Sequence, residues 1–410
     1  MQDRQLYEQI LGLPAPWFVE RVELDLKEGV VNVHVAHRQD ATWTCAECGR
    51  ECPLHDHAHQ RTWRHLDTCQ YQTLLLATTP RTDCPEHGVR AVRLPWAEPH
   101  SRFTLLFERL AIDWLEAASQ QAVAERLGLS WDEVHGIMER AVARGLARRK
   151  SELIPHLGVD EKAFSKGQSY ATLVVDLDRS RVLYVAQDRK QTSLDGFWPT
   201  LSAEQLAAIR GVAIDMWDPF ENSIRQHLPQ ADEKIVYDKF HVAKHLGDAV
   251  DRVRRAENKQ LRAQGDQRLV GTKHTWLRNP LNFGDEQWRD FQKLRESNLK
   301  TARAWALKEQ AMHLWGYSYE KSARKHFAWW YRWATRSRLK PMIEKAKMLQ
   351  ARLPNLLTYL KLGITNAASE SLNSKIQWVK YTARGFRNFQ NFVTAIYFHC
   401  GKLDLVPTAP

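Results

Sequence analysis

The alternation of apolar and polar positions changes character three times along this chain. Up to about residue 100 it follows the two-residue period of strands: Leu24–Val35 and Tyr71–Thr78 alternate or run apolar over strand lengths. Residues 101–150 switch to the helical spacing of i, i+3 and i+4. From Pro155 to about Val242 strands and helices interleave. Ala171–Leu177 and Arg181–Ala186 flank the turn Asp178-Arg179-Ser180 and read as a hairpin. Leu201–Ile209 reads as a helix, Val212–Met216 as a strand, Pro219–Leu228 as a helix opened by proline, and Lys234–Tyr237 as a further strand. From His241 to about Leu360 the pattern is helical throughout and rich in Arg, Lys and Trp; the remaining 50 residues hold one or two helices and a mixed tail. No internal repeat or low-complexity stretch interrupts this plan.

A chain of 410 residues is long enough for two to four domains with their own cores. No apolar run approaches the length of a membrane-spanning helix, and the N-terminus lacks the apolar stretch of a signal peptide, so the expectation is a cytoplasmic protein. Lys and Arg number 59 against 48 Asp and Glu, a net charge of +11 that points to a polyanionic partner. Sixteen tryptophans, several beside Arg or Lys, suit a surface that stacks on bases, although most tryptophan is core. Six cysteines in such a chain point to metal binding or burial, not to disulfides.

The cysteine spacing is informative. Cys45-Ala-Glu-Cys48-Gly49 is a knuckle, and Cys84-Pro-Glu-His87-Gly88 repeats its spacing with histidine as the fourth ligand. Each short pair brings two ligands to one side of a tetrahedral ion, and the glycines let the backbone turn around it. The four residues are candidate ligands of a closed, structural Zn²⁺, with Cys52 and Cys69 as rivals. His55, His57 and His59 read as a solvated loop, and Cys400 as packing in an apolar helix.

Gln120–Leu127, the turn Gly128-Leu129-Ser130 and Trp131–Arg144 have the spacing of a helix-turn-helix, the second helix capped by Ser130 with Glu133 three residues on. Ala122, Val123, Leu127, Leu129, Val134 and Ile137 fall at its apolar contact positions. Arg140, Arg144 and Arg148 continue the second helix as candidate phosphate contacts, followed by Arg149 and Lys150.

Three acidic residues stand in unlike settings. Asp160 ends the apolar run His-Leu-Gly-Val, Asp215 ends Gly-Val-Ala-Ile, and Glu370 lies on a late helix, Ala-Ser-Glu-Ser-Leu-Asn-Ser-Lys. A strand with Asp160, a hairpin, a helix and a strand ending at Asp215 follow the order of a ribonuclease-H-like core. There, clustered carboxylates hold two Mg²⁺ ions for phosphodiester chemistry. Glu161 should face away from Asp160, Asp176 and Asp178 suit turn chemistry, Asp218 could cap a helix, and Asp238 could enter the pocket. Asp218 competes with Asp215 for the second place. The 155 residues between Asp215 and Glu370 exceed a compact core, so a basic helical insertion is expected there. Within it Trp329, Trp330 and Trp333 read as core more than as a DNA platform. Beyond Glu370, Lys375, Lys380 and Arg384 are candidate DNA contacts.

At these motifs the chain resembles the ISL-three family of bacterial insertion-sequence DDE transposases. The resemblance runs from about residue 40 to 400 and is carried by Gly158-Val-Asp160-Glu-Lys, Asp215-Met-Trp-Asp-Pro-Phe, Ile235-Val-Tyr-Asp238-Lys-Phe-His241-Val and Thr365-Asn-Ala-Ala-Ser-Glu370-Ser-Leu-Asn-Ser-Lys375. Cys45, Cys48 and Cys84 match the family's zinc ribbon, with His87 where a fourth cysteine is expected. It implies Asp160, Asp215 and Glu370 as the catalytic, metal-binding triad, Mg²⁺ replaceable by Mn²⁺, and His241 as a DNA contact near the cut. Its partners would be double-stranded DNA, at terminal inverted repeats and target, bound by a homodimer or larger assembly on the bacterial nucleoid.

The fold class expected is therefore multidomain α/β: a ribonuclease-H-like mixed-sheet core with a large all-α insertion, an N-terminal zinc-binding β module and a helix-turn-helix. The expected divisions are residues 1–100 for the zinc module, 101–150 for the helix-turn-helix, 151–242 and 361–410 for the two parts of the core, and 243–360 for the insertion. The alternatives are a DNA-binding regulator on a decayed nuclease fold and a general nuclease of that fold.

Overall fold

The computed structural model describes residues 3–164, 169–278, 282–365 and 367–407, without the side chains of 367 and 368. The chain forms two compact units. Unit 1 holds the residues up to Lys150, together with Tyr381–Arg384 and the stretch from Tyr397; unit 2 holds Ser151–Lys380 and Gly385–Ile396.

Unit 1 begins with helix α1 (Asp3–Leu11), which the strand-period reading missed. It continues through β1 (Trp17–Asp25), β2 (Val30–His37), β3 (Trp43–Thr44), β4 (Glu51–Cys52), β5 (Leu54–His57), β6 (Arg61–Thr68), β7 (Tyr71–Ala77), β8 (Pro80–Cys84) and β9 (Gly88–Ala91). The apolar run Leu24–Val35 is the end of β1, a turn whose Gly29 has φ of +68°, and most of β2. Four strands form a sheet in the order β1-β2-β7-β6, while β5-β8-β9 and β3-β4 make smaller sheets. Trp63, fully buried, anchors a core with Trp17, Trp43 and Trp96.

Helices α2 (Leu105–Ala117), α3 (Gln120–Leu127) and α4 (Trp131–Ala147) follow. Gly128 takes the left-handed conformation that ends α3, at φ 64° and ψ 38°. Ser130 and Glu133 make the expected capping box at α4: the Glu133 amide donates to Ser130 Oγ at 3.3 Å and the Ser130 amide to Glu133 Oε2 at 2.9 Å. Val123, Val134 and Ile137 are buried as expected, but Ala122 is exposed and Ala124 fills its place. That is a shift of two residues around a short helix.

Unit 2 is built on β10 (His156–Ala163), β11 (Tyr170–Asp176) and β12 (Arg181–Gln187), followed by α5 (Gln191–Asp195), α6 (Ala203–Ala208), β13 (Gly211–Ile214), α7 (Asp218–His227), α8 (Ala231–Lys234) and β14 (Ile235–Tyr237). The sheet order is β12-β11-β10-β13-β14. β11 runs antiparallel to β10 and β12, while β10, β13 and β14 are mutually parallel neighbours. Every residue of β13 and β14 is buried, as expected of parallel strands covered on both faces.

Helices α9 (Lys239–Ala263), α10 (Lys273–Leu277), α11 (Asp285–Glu296), α12 (Lys300–Met312), α13 (Glu320–Arg336), α14 (Lys340–Ala351) and α15 (Leu353–Leu362) occupy the expected insertion. They share one apolar core with the sheet: Val212, Ile235, Val242, Phe291, Phe327 and Leu356 belong to a single cluster. Trp330 is fully buried and donates its Nε1 to the Leu307 carbonyl at 2.8 Å, whereas Trp329 is 51% exposed. The core reading therefore holds for Trp330 and not for Trp329. The chain returns along α8 and β14, where Asn355 Nδ2 donates to the Asp232 carbonyl at 2.8 Å and the Ile235 carbonyl at 3.4 Å, and leads into α16 (Ala367–Thr382) and α17 (Phe389–Cys400). No described helix is long and apolar enough to cross a membrane.

The expected assignment of all of 361–410 to the core meets a different division, because the tail groups with unit 1. The α4 arginines explain it. Arg144 donates to the Leu405 carbonyl, Arg148 to the Val406 carbonyl at 2.6 Å, and Arg149 to the Gly401 carbonyl at 3.0 Å. Gly145 sits so close to the tail that an added Cβ would lie 2.6 Å from Leu403 Cβ.

Candidate catalytic and metal sites

Two clusters of ligand-type side chains emerge, one in each unit. In unit 1, Cys45, Cys48, Cys84 and His87 place one ligand atom each within 4.8 Å of one another, the one such group of His, Cys, Asp or Glu among the described residues. Cys48 Sγ lies 3.7 Å from Cys84 Sγ, and His87 Nδ1 lies 3.5 Å from Cys84 Sγ and 3.8 Å from Cys45 Sγ. These separations suit four soft donors around a tetrahedral ion. The hydrogen bond from His87 brings the Cys84 thiol down to about 6, toward the thiolate a metal needs. The knuckle turns on Gly49 and the second pair on Gly88, both at positive φ. Cys52 is buried beside the set with its Sγ 3.4 Å from the Arg50 carbonyl, and burial raises its thiol; Cys69 lies exposed in the β6–β7 turn. Neither belongs to the four-residue group.

In unit 2 the acids meet at the C-terminal end of the parallel strands. Asp160 lies on β10 and Asp215 directly follows β13; Asp238 follows β14 and caps α9, accepting from the Phe240 amide at 3.0 Å. Glu370 comes from the first turn of α16. Asn373, one turn further on, donates to Asp160 Oδ2 at 2.5 Å and so ties the Glu370 helix to the first-strand acid. Lys380 Nζ, on the same helix, donates to the Ala163 carbonyl at 2.5 Å, at the end of β10.

His241, on the first turn of α9, lies 3.0 Å from Asp215 Oδ2 through Nδ1 and 4.0 Å from Asp238 Oδ2 through Nε2. The contact with Asp215 raises its pKa, and the charges of Asp160 and Asp238 add to this against burial. Burial pushes the Asp215 carboxyl up, but the hydrogen bond and charge of His241 outweigh it and leave it below the ordinary value. Asp238 is almost wholly buried, which raises it, and the charges of Asp160 and Asp215 raise it further. Burial also raises exposed Glu370, aided by Asp238 and Asp160. The five groups thus form one electrostatic unit in which the histidine offsets part of the mutual repulsion of the carboxylates.

The competing acids are engaged elsewhere. Asp218 pairs with Arg352, Asp178 with His156 at 2.9 Å, and Glu161 with Arg189 at 3.1 Å. Buried Asp176 accepts from the amides of Asp178 and Arg179 and from the Arg181 guanidinium.

The candidate arginines of α4 require a correction. Arg140 and Arg144 both bind fully buried Glu108; Arg144 also binds Glu98 at 2.6 Å and keeps only 7% of its side chain exposed. Arg148 bonds Asp404 at 3.2 Å as well as the tail. These cations neutralise a buried carboxylate and hold the tail. Lys375 and Arg384 are exposed. Sequence reasoning missed Asn373; its i+3 spacing from Glu370 was the available signal.

Zinc cluster, helix-turn-helix and strand-end acids are the parts of a DNA-transposing enzyme. Residues 157–396, more than half of the chain, match a transposase domain of the DDE type, residues 92–142 the helix-turn-helix domain of transposase family ISL3, and residues 41–87 the zinc-finger of the transposases of IS204, IS1001, IS1096 and IS1165. The chain belongs to the ISL3 family of DDE transposases. It is 29% identical to the transposase for insertion sequence element IS1001 of Bordetella parapertussis over 400 residues, covering 97% of this chain and 98% of that protein. It is 27% identical to the transposase for IS1557 of Mycobacterium tuberculosis over 423 residues, covering 96% and 94%.

Proposed function

We propose that unit 2 carries a ribonuclease-H-like catalytic core in which Asp160, Asp215 and Glu370 are the catalytic carboxylates, with Asp238 a fourth acid of the same pocket. The observation that carries this is the gathering of acids from β10, the end of β13, the cap of α9 and α16, with His241 against Asp215 and Asp238, and Asn373 of the Glu370 helix on Asp160, although 155 positions separate Asp215 from Glu370. The strand order β12-β11-β10-β13-β14, with its antiparallel hairpin and parallel neighbours, supports the fold. Pairing of Asp218 with Arg352 favours Asp215 as the second acid.

The donor set suits hard divalent ions, since carboxylate oxygens are the ligands Mg²⁺ and Mn²⁺ prefer. Asp160, Asp215 and Glu370 would hold two Mg²⁺, which when bound activate an attacking oxygen and stabilise the leaving one. Around them Asn373 orients Asp160, and His241 holds the charge of Asp215 and lies where a DNA phosphate would approach. Lys375, Lys380 and Arg384 are the cations we assign to the DNA backbone. Water attacks the phosphodiester at the element end, its oxygen bonding to phosphorus as the 3′-oxygen leaves. That 3′-hydroxyl then attacks a target phosphodiester and displaces a second 3′-oxygen, so that each bond formed replaces one broken. Cys45, Cys48, Cys84 and His87 hold a structural Zn²⁺, and the zinc ribbon and helix-turn-helix of unit 1 recognise the terminal inverted repeats. Joining two ends calls for a homodimer or larger assembly on DNA.

The test is Mg²⁺- or Mn²⁺-dependent cleavage of duplexes carrying the element ends, by the natural chain and by Asp215→Asn. Cleavage confined to the natural chain and to end-bearing DNA is expected. Equal cleavage by the variant would remove Asp215 from the site, and equal cleavage of random DNA would indicate a general nuclease.

A further inference from the structure

Strand period places one further cation on the face of the acid cluster. β10 pairs with β11 in unbroken register from Leu157 to Ala163, so side chains alternate, and Lys162 stands on the face of Asp160, opposite Glu161. Helix α16 lies across this stretch of β10. Asn373 donates to Asp160 Oδ2, and Lys380 Nζ, seven residues further along the helix, donates to the Ala163 carbonyl. Lys162 falls between these two contacts. Its neighbour on β11 is buried Ala171, whose methyl offers the ammonium no polar group.

Lys162 is half-buried, and among the described residues it has no hydrogen-bond or ion-pair partner. Asp160 does not serve as one. Its Oδ1 accepts from the Glu161 amide at 2.7 Å and its Oδ2 from Asn373. The charge of Asp160 attracts the Lys162 ammonium, while that of Lys380 repels it. Two cations held within reach of each other, one of them half withdrawn from water, cost free energy until an anion joins them. Lys380 gives one proton to the Ala163 carbonyl and keeps two more to donate. The face of the acid cluster thus carries a seat for an anion, one step along the strand from the acids.

Spacing selects the anion. Two residues of strand advance by roughly 7 Å, which is close to the separation of successive phosphates along a DNA strand. With one phosphate at Asp160, the next falls at Lys162. We propose that Lys162, together with Lys380, holds the phosphate adjacent to the scissile one and so sets which bond reaches the acids. This rests on the reading of the acids as the cleavage centre. An ammonium binds phosphate as a point charge and takes no account of the base, so the contact fixes position and not sequence.

The experiment measures binding of the full chain to element-end duplexes in Ca²⁺, a hard ion that carboxylates hold in looser geometry than Mg²⁺. One phosphate at a time, on either side of the cut, is replaced by an uncharged methylphosphonate. Each affinity is divided by that of the same protein for the unmodified duplex, which cancels any general loss of folded protein. At one of the two phosphates flanking the scissile one, the natural chain should lose about tenfold, as expected when a hydrogen bond to a charged group is removed. Lys162→Met should bind the unmodified duplex less tightly, with a salt slope lower by about one, and should show no further loss at that phosphate. Lys162→Arg should restore the penalty, and Lys380→Met should blunt it at the same phosphate. No penalty there in the natural chain, a full penalty in Lys162→Met, or a Lys380→Met effect confined to another phosphate would overturn the proposal. So would a Lys162→Met chain altered only in the Mg²⁺ it needs for cleavage, since that marks a lysine that merely offsets Asp160. Cleavage by Asp215→Asn judges the acids separately. If that variant still cut in Mg²⁺, their assignment would fail, while the phosphate profile of Lys162→Met would still decide the role of the cation.

Discussion

The thiol cluster of unit 1 and the carboxylate cluster of unit 2 are assembled in opposite ways. Cys45, Cys48, Cys84 and His87 come as two short pairs and already stand within 4.8 Å of one another. Asp160, Asp215, Asp238 and Glu370 come from four separate elements and are brought together by the fold, with His241 drawn against Asp215. Ionised carboxylates repel, and Asp238 and Glu370 are pushed toward the neutral form by burial and by neighbouring acids. The first cluster is written in short local pairs, while the proposed catalytic cluster is assembled by the fold from distant elements.

The comparison breaks first, if it is wrong, on zinc. Cys84→Ser, or strong chelation, should unfold the ribbon around β3, β4 and β8, since structural zinc contributes about 10–16 kcal/mol in small zinc modules. Limited proteolysis and metal analysis check this; an intact ribbon without metal would remove the distinction. The same loss should abolish binding to the element ends.

Substituting the carboxylates should leave the fold intact and lower cleavage by orders of magnitude, because each proposed ligand holds the ions from its own element. Asp160→Asn, Asp215→Asn and Glu370→Gln, followed by thermal melts and single-turnover cleavage, test that. A melting loss as large as that of Cys84→Ser would mean that this cluster too is structural.

Arg144→Ala addresses the cations of unit 1. Removing it leaves buried Glu108 with Arg140 and the Ser101 hydroxyl, which should cost about 3 kcal/mol, the low end for breaking a buried ion pair. Denaturant unfolding of the chain measures it. The salt dependence of DNA binding by the folded fraction should not change, because the guanidinium meets a carboxylate and not a phosphate. A slope lower by about one would restore Arg144 as a DNA contact.

Asn373→Ala should weaken metal-dependent cleavage by about 10–100-fold, the usual cost of losing a group that orients a ligand. Asn373→Asp, which would place a carboxylate against Asp160, should do at least as much harm. A shift in the Mg²⁺ concentration needed for half-maximal rate identifies the loss as one of metal affinity.

The smallest effect is on pH. His241 has a raised pKa in the metal-free fold, so its contribution to stability is complete below its ordinary value of 6.5 and is lost as pH rises through the raised folded value. Asp215 is depressed, and its contribution is present above the ordinary carboxylate range and lost as pH falls through the lowered value. Metal-free stability should therefore decline from neutral toward mildly alkaline pH, and His241→Gln should flatten that decline in denaturant titrations. An unchanged slope would show that the contact with Asp215 does not set it.

Much of this protein is legible locally. The two ligand pairs, the Ser130–Glu133 capping box, the hairpin at 170–187 and the strand leading to Asp215 each depend on neighbours within a few residues, where turn chemistry and side-chain period act directly. Helix α1 escaped because nine residues offer only about two and a half turns of pattern. Ala122 was misplaced for the same reason. The arginines of α4 looked free because charge in a sequence carries no partner; their partners Glu98, Glu108 and the 404–406 tail lie up to 261 positions away.

The sequence alone nominated the candidate metal ligands, placed most strands and helices, and showed that a helical stretch divides the acids. Only the tertiary structure decided which acids meet. Asp215 and Asp218 stand three residues apart, yet the end of β13 directs one to His241, while the first turn of α7 gives the other to Arg352. Asn373 became meaningful only when α16 was laid against β10. Local periodicity fixes the face on which a side chain stands, but what it meets there is set by packing that closes loops of a hundred residues or more.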